Sequence, residues 1–174
     1  MFRQVVRYLN DPILEKPAQA VTEFGTGELR QLVEDMFETM YESHGVGLAA
    51  PQIAISQRLA VVDVAGADED KAPEKIVLIN PKVISRSGKQ TGEEGCLSIP
   101  GFREPVTRAK IATVRAQNVD GEWFEITGED LLARAMLHEI DHLDGILFLN
   151  HLSALKRDLI KRKIRKMQKA GEWE

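Results

Sequence analysis

The sequence has a single cysteine, Cys96, so no disulfide can form within the chain. A lone cysteine is most often a small buried hydrophobe. No apolar run approaches the roughly 20 residues that a membrane helix requires. The opening stretch Met1-Phe2-Arg3-Gln4-Val5-Val6 lacks the long apolar core of a secretory signal, and it is not an Arg/Ser-rich, acid-poor transit peptide. Repeats and linker-like stretches are missing too. These absences disfavour a disulfide scaffold and a membrane protein, and they make a cytoplasmic location the default expectation. What is left is 174 residues, 43% hydrophobic and 29% charged, which suits one globular domain with a sizeable core.

The net charge of −4 is unevenly spread. Residues 156–174 hold eight basic and three acidic side chains (+5), leaving −9 on the preceding 155 residues (15 basic against 24 acidic). An acidic body with a basic tail points to a separate partner for the tail, such as a polyanion. The plain alternative is a solvated helix face.

Periodicity places the elements. Pro12, Pro17 and Gly25 make residues 11–25 an irregular entry segment. Leu29, Leu32, Val33, Met36, Phe37, Met40 and Tyr41 follow the spacing of one buried helix face, with Thr26 as N-cap and Gly45 as the stop after Ser43-His44. Short β-branched runs at 59–64, 76–79 and 83–84 predict strands, broken by an acidic loop at 66–75 and by Pro81. Residues 111–119 and 122–126 flank Asp120-Gly121, a two-residue hairpin signal.

Thr127 and Asp130 resemble a capping box opening a second helix, from about Gly128 through His142, with Leu131, Leu132, Ala135 and Met136 on its buried side. Ile146–Leu149 reads as a short strand or buried connection. Residues 153–169 predict a third helix, with Leu155, Leu159, Ile160, Ile164 and Met167 on one face and lysines and arginines opposite. The fold class expected is α+β: small mixed or antiparallel β-sheets around a central metal-binding helix, with an N-terminal amphipathic helix and a C-terminal helix, in one domain spanning 1–174.

Chemistry concentrates in His138-Glu139-Ile140-Asp141-His142. Two histidines four residues apart on a helix lie one above the other, so their imidazoles can converge on one metal ion. Glu139, offset by roughly 100° around the helix, is near enough to act as base toward a water on that metal. A catalytic site of this kind usually needs a third protein ligand. A histidine six residues after His142 would serve, but that position is Phe148; a glutamate some twenty residues downstream would also serve, but Arg157–Lys169 has none. Both protease patterns fail. The remaining strong candidate is Cys96, in Glu93-Glu94-Gly95-Cys96-Leu97-Ser98, which would bind as a thiolate.

With these residues in view, the chain resembles the peptide deformylase family, which removes the formyl group from the N-terminal formylmethionine of new bacterial or organellar proteins. Three motifs carry the resemblance in order: Gly45-Val46-Gly47-Leu48-Ala49-Ala50-Pro51-Gln52, Glu94-Gly95-Cys96-Leu97-Ser98, and the histidine pentad. The resemblance implies Cys96, His138 and His142 as metal ligands and Glu139 as the residue that activates the attacking water and protonates the departing amine. It implies the Gln52 amide and the Leu97 backbone N–H as oxyanion donors, and Val46, Gly47 and Arg103 as peptide-binding positions. Arg103 beside Pro105 has the plain alternative of a surface arginine.

The family's usual metal is Fe(II), and the donor set equally suits Zn(II), Ni(II) or Co(II). The substrate implied is an N-formylmethionyl peptide, with ribosome contact through the basic C-terminal helix and no membrane or DNA partner. Leu137 stands where many members have glutamine, and Arg134 and Ala135 replace apolar or cysteine residues, which bears on pocket preferences. His44 and His151 lack ligand spacing and are read as structural. Asp141 is expected to pair with Arg108 and brace the helix. Two other functions remain: a zinc endopeptidase, and a ribosome- or RNA-binding protein whose metal is structural.

Overall fold

The computed structural model describes residues 1–68 and 70–174; Glu69, inside the acidic loop expected at 66–75, lies outside them. Helix α1 (Gly27–Glu42) opens as its sequence predicts, with the Thr26 hydroxyl accepting from the Leu29 N–H at 3.1 Å. It buries Leu29, Val33, Met36, Phe37 and Met40. Its end differs from expectation: the left-handed position falls on His44 (φ 57°), one residue before Gly45. Histidine is among the residues that tolerate that region.

Seven strands follow among the described residues: β1 (Gly47–Ala49), β2 (Leu59–Val62), β3 (Ile76–Ser87), β4 (Gln90–Cys96), β5 (Ile99–Arg108), β6 (Ile111–Gln117) and β7 (Trp123–Glu129). Five form one sheet in the order β1-β2-β3-β6-β7, every pairing antiparallel, while β4 and β5 form a separate two-stranded sheet. All four residues of β2 are buried. Leu59 and Val61 pack with the α1 face, and Ala60 and Val62 point the other way, toward helix α2 (Asp130–Leu143). The continuous apolar run of β2 is therefore what a strand covered on both faces requires.

Several expectations need correction. Pro81 does not separate two strands; β3 runs through it, because Asn80 (φ 50°) and a register shift between Ile79 and Lys82 put the proline in a bulge. A bulge has no ladder bond for the missing N–H to break. The Asp120-Gly121 hairpin has three loop residues, with Gly121 (φ 84°) donating to the Asn118 carbonyl and Asn118 N–H donating to Glu122. The capping box at Thr127 does not form. Thr127 lies in β7 with its hydroxyl against Thr113, and the residue before α2 is Glu129, which makes no side-chain cap.

Leu131, expected to be buried, is 48% exposed, as are Leu155 (71%) and Leu159 (45%) on helix α3 (Ala154–Lys169). Ile160 and Ile164 do the burying on α3, and together with Tyr8, Leu14, Ile99, Phe148 and Trp173 they form a further core. The β4–β5 hairpin was not foreseen at all. Its first strand, Gln-Thr-Gly-Glu-Glu-Gly-Cys, has none of the β-branched enrichment that marks a strand.

Helix α2 is the element that places the chemistry. Ala135, Met136 and Ile140 pack on Val62, Leu78, Val114 and Ala116 of the large sheet. The opposite side of the helix turns toward the β4–β5 hairpin.

Candidate metal centre and active site

His138 and His142, 9% and 1% exposed, meet Glu94 and Cys96 of the hairpin, and Glu139, 4% exposed, faces β1. Cys96 ends β4 where the hairpin turns, opposite Ile99. The hairpin carries the thiol to the two imidazoles: Sγ is 3.4 Å from His142 Nε2, which is 3.1 Å from His138 Nε2. One ligand atom from each of the three residues falls within a 4.8 Å span, a geometry that could hold a metal ion. The donor set of one sulfur and two imidazole nitrogens suits a borderline divalent cation.

The electrostatics agree. Burial works against charge on His138, but the Glu139 carboxylate, with Cys96 and Glu94, overcomes it and lifts this imidazole to about 10. Burial, then the His138 charge, drives His142 well below its ordinary value, so it stays neutral. The pocket thus draws one positive charge onto a histidine pair ringed by anionic groups, as a cation site would.

Glu139 is set for proton transfer. Burial raises its carboxyl to about 7, against the lowering pull of His138 and Arg108; a bound cation would add to that pull. Its Oε1 is buried with no hydrogen-bond partner among the described residues. The carboxyl lies against Gly47, where a Cβ would stand 2.9 Å from both Cγ and Cδ of Glu139. Glycine at 47 is therefore what lets β1 pass this close to the glutamate.

Gln52 sits in a short 3-10 turn after β1 and is 2% exposed. Its Oε1 accepts from the Ala49 N–H at 3.0 Å, which fixes the amide so that Nε2 donates toward Cys96 Sγ (3.4 Å) and Ser98 Oγ (3.3 Å). The amide donor therefore points at the thiol end of the site. A cleft of about 760 Å³ opens above, and Val46, Gly47, Leu97 and Arg103 line it with Cys96 and Glu139. Eight of the nine candidate site residues line this cleft, and His142, 1% exposed, lies beneath it against Cys96 and His138. Arg103 is the outermost, its side chain 64% exposed beside Glu93.

Beneath the site lies a charge cluster that sequence reasoning only partly found. Glu94 accepts from Arg108 Nε (2.6 Å) and Nη2 (2.9 Å), from Arg134 Nη1, and from His138 Nδ1 (2.9 Å). The last bond turns His138 Nε2 toward the cysteine and fixes the tautomer a metal ligand needs. The expected pair also forms, with Arg108 Nη1 donating to Asp141 at 2.9 Å, and Asp141 meets His151 Nε2 at 2.9 Å as well. Two arginines thus balance two carboxylates, as burial demands. Glu94 sat inside a recognised motif without a role assigned. The acid beside Gly95-Cys96 was legible, but its partners lie 14, 40 and 44 residues away.

The family model described as polypeptide deformylase matches residues 3–158. A peptide deformylase of Acidobacterium capsulatum is 62% identical over 173 residues, covering 99% of this chain and 99% of that protein. One of Alkalilimnicola ehrlichii is 47% identical over 161 residues, covering 92% of this chain and 88% of that protein. Among solved structures, a peptide deformylase from Legionella pneumophila superposes with a TM-score of 0.88 at 45% identity, covering 100% of this chain and 99% of that one.

Proposed function

The chain belongs to the polypeptide deformylase family, metal-dependent hydrolases that remove N-formyl groups from nascent polypeptides, and on that premise we propose how its residues divide the work. Cys96, His138 and His142 would hold the divalent metal. When bound, that ion supplies Lewis acidity, lowering the pKa of water in the site and polarising a carbonyl oxygen. Glu139 takes a proton from the attacking water as its oxygen bonds to the formyl carbon. The same carboxyl then passes that proton to the amine nitrogen as the C–N bond breaks, releasing formate and a free N-terminus. The Gln52 amide N–H and the Leu97 backbone N–H donate to the oxygen that gains negative charge. Val46 and Gly47, at the edge strand β1, pair with the extended peptide, and Arg103 meets its carbonyls further out.

The observation that carries this reading is the buried, unpartnered Glu139 oxygen beside three converging ligand atoms. The test is formate release from a formyl-Met dipeptide by Glu139→Gln. A loss on the order of 10²–10⁴ in kcat is expected with the metal retained; full activity would overturn the assignment.

Fe(II) is the metal proposed for the native enzyme, supported by family practice and by a donor set that accepts it. Anaerobic purification with metal analysis and activity per bound ion decides it: iron content that does not track activity removes Fe(II). The whole chain, 1–174, is taken as one catalytic unit, supported by a core that joins Tyr8 and Leu14 to Ile160, Ile164 and Trp173. A cytoplasmic location goes with a nascent-chain substrate, and no helix among the described residues is long and apolar enough to cross a membrane.

Ribosome contact is proposed for the outer face of α3, where Arg162, Lys163, Arg165 and Lys166 are exposed. Deleting residues 153–174 would also remove Ile160, Ile164 and Trp173 from the core. Arg162→Glu with Lys166→Glu is therefore the cleaner test. Weaker ribosome sedimentation with dipeptide turnover intact is expected; unchanged sedimentation removes the contact.

A further inference from the structure

Residues 5–7 belong to no helix or strand and lead into a turn at Tyr8. Three donors of residues 6–8 nevertheless reach the two segments that carry the proposed oxyanion donors. Val6 N–H donates to the Gln52 carbonyl at 2.8 Å, and Tyr8 N–H donates to the Ser98 carbonyl at 2.9 Å. Between them the Arg7 guanidinium turns toward the hairpin. Its Nη1 donates to the Leu97 carbonyl at 3.1 Å and back to the Val5 carbonyl at 3.2 Å.

Leu97 needs such support. It lies in the tight turn between β4 and β5, with the catalytic cleft on one side. Leu97 and Cys96 also line a second cavity, of about 410 Å³, with Phe2, Gln4, Val5 and Arg7. The Leu97 side chain packs against the α1 core, which leaves the orientation of its peptide groups to hydrogen bonds. Peptide planes are rigid, so the Arg7 bond fixes the plane that follows Leu97, and the Tyr8 bond fixes the next. The Leu97 N–H lies in the preceding plane, so with the two following planes held it can turn only by rotation about Cys96 ψ and Leu97 φ. The strap is itself anchored from behind, because the buried Trp173 indole N–H donates to the Tyr8 carbonyl at 2.7 Å.

We infer that residues 5–8 form a strap that orients both oxyanion donors, and that Arg7 is a positioning residue acting through Leu97 without touching the substrate. This rests on Gln52 and Leu97 being those donors, and the experiment separates the two ideas. Metal-saturated Arg7→Met, Arg7→Lys and Gln52→Ala are compared with the parent on a formyl-Met-Ala dipeptide. Gln52→Ala is expected to lose on the order of 10²-fold in kcat through a lost donor. Arg7→Met is expected to lose roughly 10- to 30-fold in kcat, with KM within about twofold, because a misplaced donor costs less than a missing one.

Arg7→Lys, which can still reach one carbonyl, should recover to within about threefold of the parent. Arg7→Gln supplies the same reading at smaller amplitude if the Met variant does not fold. Parent-like kcat in Arg7→Met, with Gln52→Ala impaired, overturns the strap alone. Parent-like kcat in both removes the donor assignment and the strap with it. A loss confined to KM, or one that lysine does not restore, also overturns the inference.

Discussion

Replacing Glu94 by glutamine removes one charge from the cluster beneath the site and should destabilise the protein by about 3 kcal/mol at pH 7. Two estimates meet at that figure. Burial by itself would raise the Glu94 carboxyl, but hydrogen bonds from His138 and Arg108 hold it at about 2 against an ordinary 4.5. At about 1.4 kcal/mol per pH unit, that difference corresponds to about 3 kcal/mol of stability. Independently, breaking a buried ion pair from one side costs roughly 3–5 kcal/mol, because the partners stay buried and uncompensated. Here those partners are Arg108 and Arg134, with side chains only 4% and 9% exposed.

The sign with pH follows from the depressed value. The contribution is fully present above pH 4.5 and is lost as pH falls toward 2. Urea melts of the parent and Glu94→Gln, in chelator so that metal binding does not contribute, should differ by a constant amount from pH 7 to 5. The gap should narrow from pH 5 to 3. A difference under about 1 kcal/mol at pH 7, or a gap that acid leaves unchanged, would refute the reasoning.

Three further outcomes are expected. Gly47→Ala should cut kcat by about 10²-fold, since its new Cβ must push Glu139 out of place, while changing the urea midpoint little; an active Gly47→Ala enzyme would mean the close approach is unimportant. Cys96→Ala should lose metal affinity by more than the roughly 10–100-fold typical of a ligand's supporting partner, read by competition with a chelating dye; parent-like affinity would exclude the thiol as a ligand. Trp173→Phe should cost about 1–3 kcal/mol by leaving the buried Tyr8 carbonyl without its donor, measured by urea denaturation; no loss would place water on that carbonyl.

Helices α1 and α3 were legible from sequence because local signals mark them: Thr26 and Ser153 both cap, and in α1 the apolar spacing matches the covered face, while in α3 only Ile160 and Ile164 are buried. The histidine pentad was legible for the same reason, since helical spacing alone puts its three chemical groups on one side. Strand β4 was not, because Glu94 is kept in a strand by arginines from β5 and α2 that no local window contains. The bulge at Asn80-Pro81 was hidden likewise, its asparagine side chain being satisfied by Val21 and Gln117. Leu131 was misjudged because periodicity identifies an apolar stripe without telling a core from the wall of a cleft.

Strand β1 forms one edge of the five-stranded sheet, beside the cleft, and is only three residues long. An unpaired edge offers main-chain groups common to every amino acid, so a peptide docked there is recognised with little regard to its side chains. An enzyme that acts on the N-termini of nascent polypeptides gains from that indifference. The same openness would invite other sheets to add on and polymerise, but an edge this short gives a stray strand too few bonds to hold. Its brevity reconciles breadth of substrate with freedom from aggregation.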